Sequence, residues 1–380
     1  MRKEKSKMSN NTKKKSRWKI VIYICAIAFG IVIGLAVEKF YVFNGVGDFL
    51  VIFAASIVSL IVHVIFHEAG HLIFGLLSGY KFLSFRIFNI IWLRQNDGKI
   101  KLKRHSVPGT VGQCLMGPPE TKDGNFPFIA YNFGGVLMNI LLSIIAIVLL
   151  FLIDGGAYVA ISLIIFVLWG MILALTNGIP MKMELVNNDG YNALELQKNS
   201  EARRAFWLQL KIYERIAMGE RLREMPSEWF EASSENADQS YLGTAINVMA
   251  GERLMDQCCF EEYLDRYAEM MQNPDRFISL HRHLMTCNAI YSMAVTARSK
   301  NEIDGLWSKE LRAVMTQLKK NPSIIRTEYA YALICERDKA KAAALKERFE
   351  AVAKNHPFPC EIVNERELFK IAEDTYEKTL

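Results

Sequence analysis

Charge is almost missing from a long early part of this sequence. Between Ile20 and Gly79 the charged residues are Glu38, Lys39, Asp48 and Glu68 alone. A stretch this apolar excludes an ordinary solvent-facing domain. Paired cysteine spacing is also missing. The seven cysteines (25, 114, 258, 259, 287, 335, 360) are odd in number and include no CxxC. That excludes a disulfide scaffold and a cysteine zinc ribbon, and points to a reducing compartment. Prolines are few, 10 in 380 residues, and hydrophobic residues make up 51%, which excludes a disordered chain. The half from residue 191 onward has no basic excess, with 27 basic residues against 30 acidic ones. A nucleic-acid partner is therefore not expected.

The positive charge that is present sits beside the hydrophobic runs. Residues 1–19 hold nine Lys/Arg against Glu4, and residues 80–105 hold seven against Asp97. Four runs are long and apolar enough to cross a bilayer, which needs about 20 residues. They cover about 20–37, 49–77, 128–152 and 158–175. The first lacks a small-residue cleavage site and is followed by Lys39-Phe40-Tyr41, so it reads as a retained span rather than a signal peptide. Basic segments stay on the cytosolic side, which puts residues 1–19, the 80–105 loop and both termini there. The expected setting is multi-pass in a bacterial plasma membrane.

Between the second and third runs, Phe82–Arg94, the turn signal Asn96-Asp97-Gly98 and the alternating Lys99–Lys103 read as a β-hairpin. Pro108–Pro119, with its glycines and paired prolines, reads as a loop. From about Ser200, apolar residues recur at three- and four-residue spacing, as in Tyr241–Leu254, Arg276–Ala297 and Ala340–Val352. The expected fold is an α-helical polytopic membrane protein with a small β-hairpin and a C-terminal all-α soluble domain. That domain takes the form of a tetratricopeptide-like solenoid or of a plain bundle. The boundaries are 1–18 for a basic cytosolic tail, 19–195 for the membrane domain and 196–380 for the cytosolic helical domain.

The chemistry lies in His67-Glu68-Ala69-Gly70-His71. On a helix the two histidines share a face one turn apart, so both imidazoles reach one zinc ion, with Glu68 beside it as the general base. Three ionisable residues inside a span cost roughly 2.5–3.5 kcal/mol or more each, which a merely structural role does not explain. A catalytic zinc takes a third protein ligand. Asp189, in Asn187-Asn188-Asp189-Gly190, and Glu184 both follow the helix-breaking Asn177-Gly178-Ile179-Pro180, and position alone does not separate them. Asn139, on an otherwise apolar run, suits orientation of an extended peptide or an interhelical hydrogen bond. Gly134 and Gly135 suit a close helix approach. His63, one turn before His67, reads as a packing residue or a neighbour of the site. His281, His283 and Cys258-Cys259 lack ligand spacing.

Taken together, His67–His71, then Gly134 to Asn139, then Asn177–Pro180 with Asp189-Gly190 resemble the ordered motifs of the site-2 protease family, intramembrane zinc metalloproteases. The motifs cover about residues 18–195. The resemblance implies that His67, His71 and Asp189 ligate Zn2+, that Glu68 is the catalytic base and that Asn139 binds substrate. It favours Asp189 over Glu184, although eight residues separate Pro180 from Asp189, more than in the compact family form. The implied substrate is a membrane-embedded protein or peptide, unwound before cleavage and able to pair along the 82–103 hairpin. The C-terminal helices are expected to bind a peptide or protein partner. A catalytically silent relative would not need Glu68 and the full ligand set, and a metal transporter would need more polar residues along the spans.

Overall fold

The computed structural model describes residues 45–95, 97–105, 110–122, 124–181, 187–231 and 241–379. Three of the expected spans are helices long and apolar enough to cross a membrane: α1 (Val46–Leu77), α2 (Ile129–Leu152) and α3 (Gly156–Gly178). Their flanks carry large exposed apolar side chains such as Phe49, Phe53, Ile144 and Val148, as a lipid-facing surface requires. The expected run at 20–37 and the basic tail lie outside the described residues.

The chain divides into two compact units. The first comprises residues up to Ile61 together with Leu142–Met171. Within it polar side chains pair inside apolar helices. The Tyr158 hydroxyl donates to Asp48 Oδ1 at 2.7 Å, and the Trp169 indole donates to Ser56 Oγ at 2.8 Å. Each satisfies a polar group that would otherwise face hydrocarbon.

The second unit comprises Val62–Leu141 and Ile172–Leu380. In it α1 and α2 cross on two glycines. A Cβ built at Gly134 would stand 2.5 Å from the Gly70 carbonyl oxygen, and one built at Gly70 would stand 2.9 Å from Met138 Cβ. No larger residue fits either position, so the glycines set how close the two backbones come. The α3 helix ends where Asn177-Gly178 is followed by Pro180, which has no amide hydrogen to continue the ladder.

The expected hairpin is a four-stranded antiparallel sheet of order β3-β2-β1-β4. The strands are β1 (Lys81–Ile87), β2 (Ile90–Arg94), β3 (Ile100–Arg104) and β4 (Gly112–Gly117). Phe82–Arg94 is therefore two strands, turned tightly at Phe88-Asn89, where Phe88 takes a φ of 53°. The Phe88 amide is held there by the Val111 carbonyl at 2.7 Å. Pro108–Pro119 is likewise not all loop. Its Gly-Gln-Cys-Leu-Met-Gly segment pairs with β1 and buries Cys114 and Met116. Local composition argued for a loop, but pairing with an already ordered strand supplied the missing backbone bonds.

Beyond the sheet come α4 (Asp189–Lys198), α5 (Ser200–Ala217), α6 (Tyr241–Asp256), α7 (Phe260–Met270), α8 (Ser279–Val295), α9 (Lys300–Asp304), α10 (Lys309–Gln317), α11 (Pro322–Ala330), α12 (Lys339–Ala353) and α13 (Pro359–Lys378). One apolar core runs from Tyr80, Met116 and Tyr131 into Phe206, Leu210 and Ile212 of α5, and so passes across residue 195. A second core gathers Tyr263, Tyr291, Ile325, Phe349 and Phe369 from the later helices.

The glycine crossing gives a testable expectation. Replacing Gly134 by Val overpacks the α1–α2 contact and lowers stability by about 1–3 kcal/mol. Gly47→Ala, where a Cβ meets nothing within 4 Å, leaves it nearly unchanged. Thermal unfolding of the detergent-solubilised chain compares the two.

Candidate metal centre

Helix α1 presents His67 and His71 one turn apart, with ring centroids 4.9 Å apart and planes nearly perpendicular. Their Nε2 atoms face each other at 3.2 Å. The carboxylate of Asp189, the first residue of α4, meets both: Oδ2 lies 3.2 Å from His67 Nε2 and 3.5 Å from His71 Nε2. These three residues form a group that could hold a metal ion. A tetrahedral zinc ion with bonds of about 2.0–2.1 Å would set its ligand atoms roughly 3.3–3.4 Å apart. The observed triangle has edges of that length. Burial works to raise the Asp189 carboxyl, but the two imidazoles against it hold it well below the usual carboxylate range.

Each ligand is held from behind. His71 Nδ1 donates to the Tyr131 carbonyl at 2.7 Å, so its lone pair is on Nε2, toward the triangle. The Tyr131 hydroxyl in turn donates to the Cys114 carbonyl at 2.9 Å, tying the start of α2 to β4. The His67 ring lies on Gly135, where a Cβ would come 2.5 Å from Cε1 and Nε2. Glycine is needed there to leave room for the imidazole. Behind His67, the Asn139 amide stands between two histidines. Its Nδ2 is 3.1 Å from His67 Nδ1, and its Oδ1 is 3.3 Å from His63 Nδ1. Both Asn139 and His63 are completely buried.

Asp189 is positioned by the residue before it. Asn188 caps α4, its Oδ1 accepting from the Tyr191 amide at 2.9 Å and the Met181 amide at 3.0 Å. Its Nδ2 donates to the carbonyls of Thr176 at 2.8 Å and Ile179 at 2.6 Å. One side chain thus joins the broken end of α3 to the first turn of α4. The positive end of the α4 dipole favours the carboxylate placed there. Glu184, the competing carboxylate, lies outside the described residues.

Glu68 points to the sheet. Its Cγ and Oε1 occupy the place a Cβ would take at Gly112, 2.5 Å away, so the first residue of β4 must be glycine. Arg86 of β1, 1% exposed, clamps the same segment. It donates to the Phe88 carbonyl at 2.7 Å, the Gly112 carbonyl at 3.3 Å and the Thr110 hydroxyl. Burial lowers the Arg86 guanidinium, and the negative charge of Glu68 works against that shift.

Sequence reasoning named His67, Glu68, His71, Asn139 and Asp189, and the structure brings four of them into contact around His67. It did not assign a task to Asn188 or Arg86. The signal for Asn188 was present, an Asn one residue before an acidic first turn. For Arg86 the signal was fainter: Ser84 and Arg86 share a phase of an otherwise apolar strand, and both are buried.

A model of peptidase family M50, the site-2 protease family, matches residues 55–317. The chain belongs to peptidase family M50. The match takes in α1 from residue 55 onward, the sheet, α2, α3 and Asp189, and extends into the C-terminal helices past the last motif read in the sequence. No curated protein and no solved structure matches the chain. M50 membership makes this an intramembrane metalloprotease by family, and the three long apolar helices among the described residues are those of a membrane protein.

For this M50 peptidase, Asn188→Ala removes a helix cap that commonly contributes about 0.5–2 kcal/mol. Metal content after dialysis against a chelator falls together with the unfolding midpoint. Full metal retention would show that Asp189 does not depend on the cap.

Proposed function

We propose that the chain is a zinc-dependent endopeptidase that hydrolyses a peptide bond in or near a transmembrane segment of a membrane protein or precursor peptide. The observation that carries this is the triangle of His67 Nε2, His71 Nε2 and Asp189 Oδ2, with edges of 3.2, 3.2 and 3.5 Å. His67, His71 and Asp189 are the residues that would hold the ion. When bound, zinc supplies Lewis-acid polarisation of a carbonyl and acidifies water toward neutral pH. Glu68 accepts the proton of the attacking water and passes it to the departing amine, so that water adds across the C–N bond. Gly112 leaves the space that the Glu68 carboxylate fills, and Arg86 fixes the segment that carries Gly112.

A substrate helix has its backbone bonds satisfied internally and must unwind before its carbonyl is accessible. The sheet offers two edges, β3 and β4, and β4 starts at Gly112, against Glu68. An unwound segment paired along that edge lies closest to the base. The sequence suggests a substrate contact for Asn139, whose amide already faces His63 and His67.

The positive segments 1–19 and 80–105 support cytosolic termini in a bacterial plasma membrane. The division into a tail (1–18), a protease domain (19–195) and a helical domain (196–380) assigns substrate or partner binding, or restraint of the protease, to the last of these. Its consecutive helices suit a solenoid that holds a peptide.

The deciding experiment uses the purified full chain with zinc and candidate single-span substrates. Glu68→Gln retains zinc and loses cleavage by about 10²–10⁴-fold, the usual contribution of a general base. Cleavage at the wild-type rate by that variant would refute the mechanism. Asp189→Ala loses zinc, and retention of full zinc would return the third-ligand assignment to Glu184.

A further inference from the structure

The two histidines of the triangle are oriented by different kinds of partner. A backbone carbonyl can only accept, so the Tyr131 carbonyl fixes the His71 proton on Nδ1 and leaves Nε2 open. Among the described residues, the partner of His67 Nδ1 is of another kind. That nitrogen faces the Asn139 amide, which accepts through Oδ1 or donates through Nδ2 depending on how the amide is turned. These two orientations have opposite consequences. With Nδ2 toward His67, as the chain stands here, Nδ1 is the acceptor and the ring proton belongs on Nε2, inside the triangle. A proton there blocks the lone pair that a cation needs. With the amide turned half a rotation about Cβ–Cγ, Oδ1 accepts from Nδ1–H, and Nε2 is open to the cation.

The other end of the amide touches His63 Nδ1 at 3.3 Å. After the half turn, Nδ2 faces His63 and needs an acceptor. His63 provides one as the tautomer with its proton on Nε2. The two histidines and the amide thus form a chain in which each group's donor role fixes the next one's. All three rings and amides are packed where water cannot readily substitute: His63 and Asn139 are completely buried, and His67 sits against Gly135.

We propose that His63 and Asn139 are positioning residues for the metal ligand His67, with His63 holding the Asn139 amide so that its oxygen accepts from His67 Nδ1–H and Nε2 is left open for the cation. The inference rests on the zinc-site reading above and adds to it a buried histidine one turn before the motif. Carboxylate or carbonyl partners behind a metal-binding histidine raise its basicity and fix its ring. Here a side-chain amide takes that place, and a third histidine meets its other end.

The test is zinc affinity, measured on the full-length chain in detergent by competition with a chelator. Asn139→Leu weakens zinc binding by about 10–100-fold, the usual effect of removing such a partner. Asn139→Asp, which still accepts from Nδ1–H and is nearly the same size, stays within a few-fold of wild type. His63→Leu weakens binding, and His63→Gln, whose amide oxygen accepts from Nδ2, restores it. Wild-type affinity in both Asn139→Leu and His63→Leu would overturn the proposal, and a raised KM with intact zinc binding in Asn139→Leu would give Asn139 to the substrate instead. If Asn139→Leu fails to fold, the His63→Leu and His63→Gln pair decides alone, and equal affinity in the two overturns the proposal. Zinc binding that survives both His71→Ala and Asp189→Ala would remove the metal site itself, a failure distinct from that of the relay.

Discussion

The structure depends on bringing two imidazole nitrogens and a carboxylate oxygen within 3.5 Å of one another in an apolar setting. Polar groups removed from water must be compensated, and the nearby elements do this by holding one group each. The α1–α2 crossing on Gly70 and Gly134 sets the backbones close enough for the Tyr131 carbonyl to reach His71 and for Asn139 to reach His67. The break after Gly178 lets the chain turn back so that Asp189 arrives from a separate helix. The sheet, by placing Gly112 against Glu68, fixes where that carboxylate lies beside the triangle.

Much of this site was legible in the sequence because helical spacing is a local rule. His67 and His71 must share a face whatever surrounds them. The apolar runs were legible for the same reason, and three of them are helices. Asp189 was legible only as one of two carboxylates until a resemblance favoured it. The rest was not local. The strand at Gly112–Gly117 looks like a loop because its glycines are required by Glu68 and Glu214, side chains far away in the sequence. The tight turn at Phe88-Asn89 lacks the usual glycine, and the Val111 carbonyl holds it from outside. His63 read as either a packing residue or a neighbour of the site because its partner, Asn139, lies 76 positions away.

The helical half is less separate than its composition suggested. Its mild acidity and helical periodicity implied an independent soluble domain. Yet α5 shares a core with Tyr80 just before β1, Met116 of β4 and Tyr131, whose carbonyl meets His71. Trp207 of α5 donates to the Pro119 carbonyl at 2.8 Å, and the Cys360 thiol of α13 to the Ile216 carbonyl at 3.4 Å. The family match reaching residue 317 agrees with this continuity.

The position of Asp189 also bears on how the protein is made. His67 and His71 are synthesised and inserted early, but the carboxylate follows His71 by 118 residues, at the head of a helix outside the spans. A nascent chain threaded as far as α3 carries two imidazoles without the carboxylate that meets them. On the reading proposed above, the full ligand set therefore exists only once Asn188 has joined α4 to the end of α3.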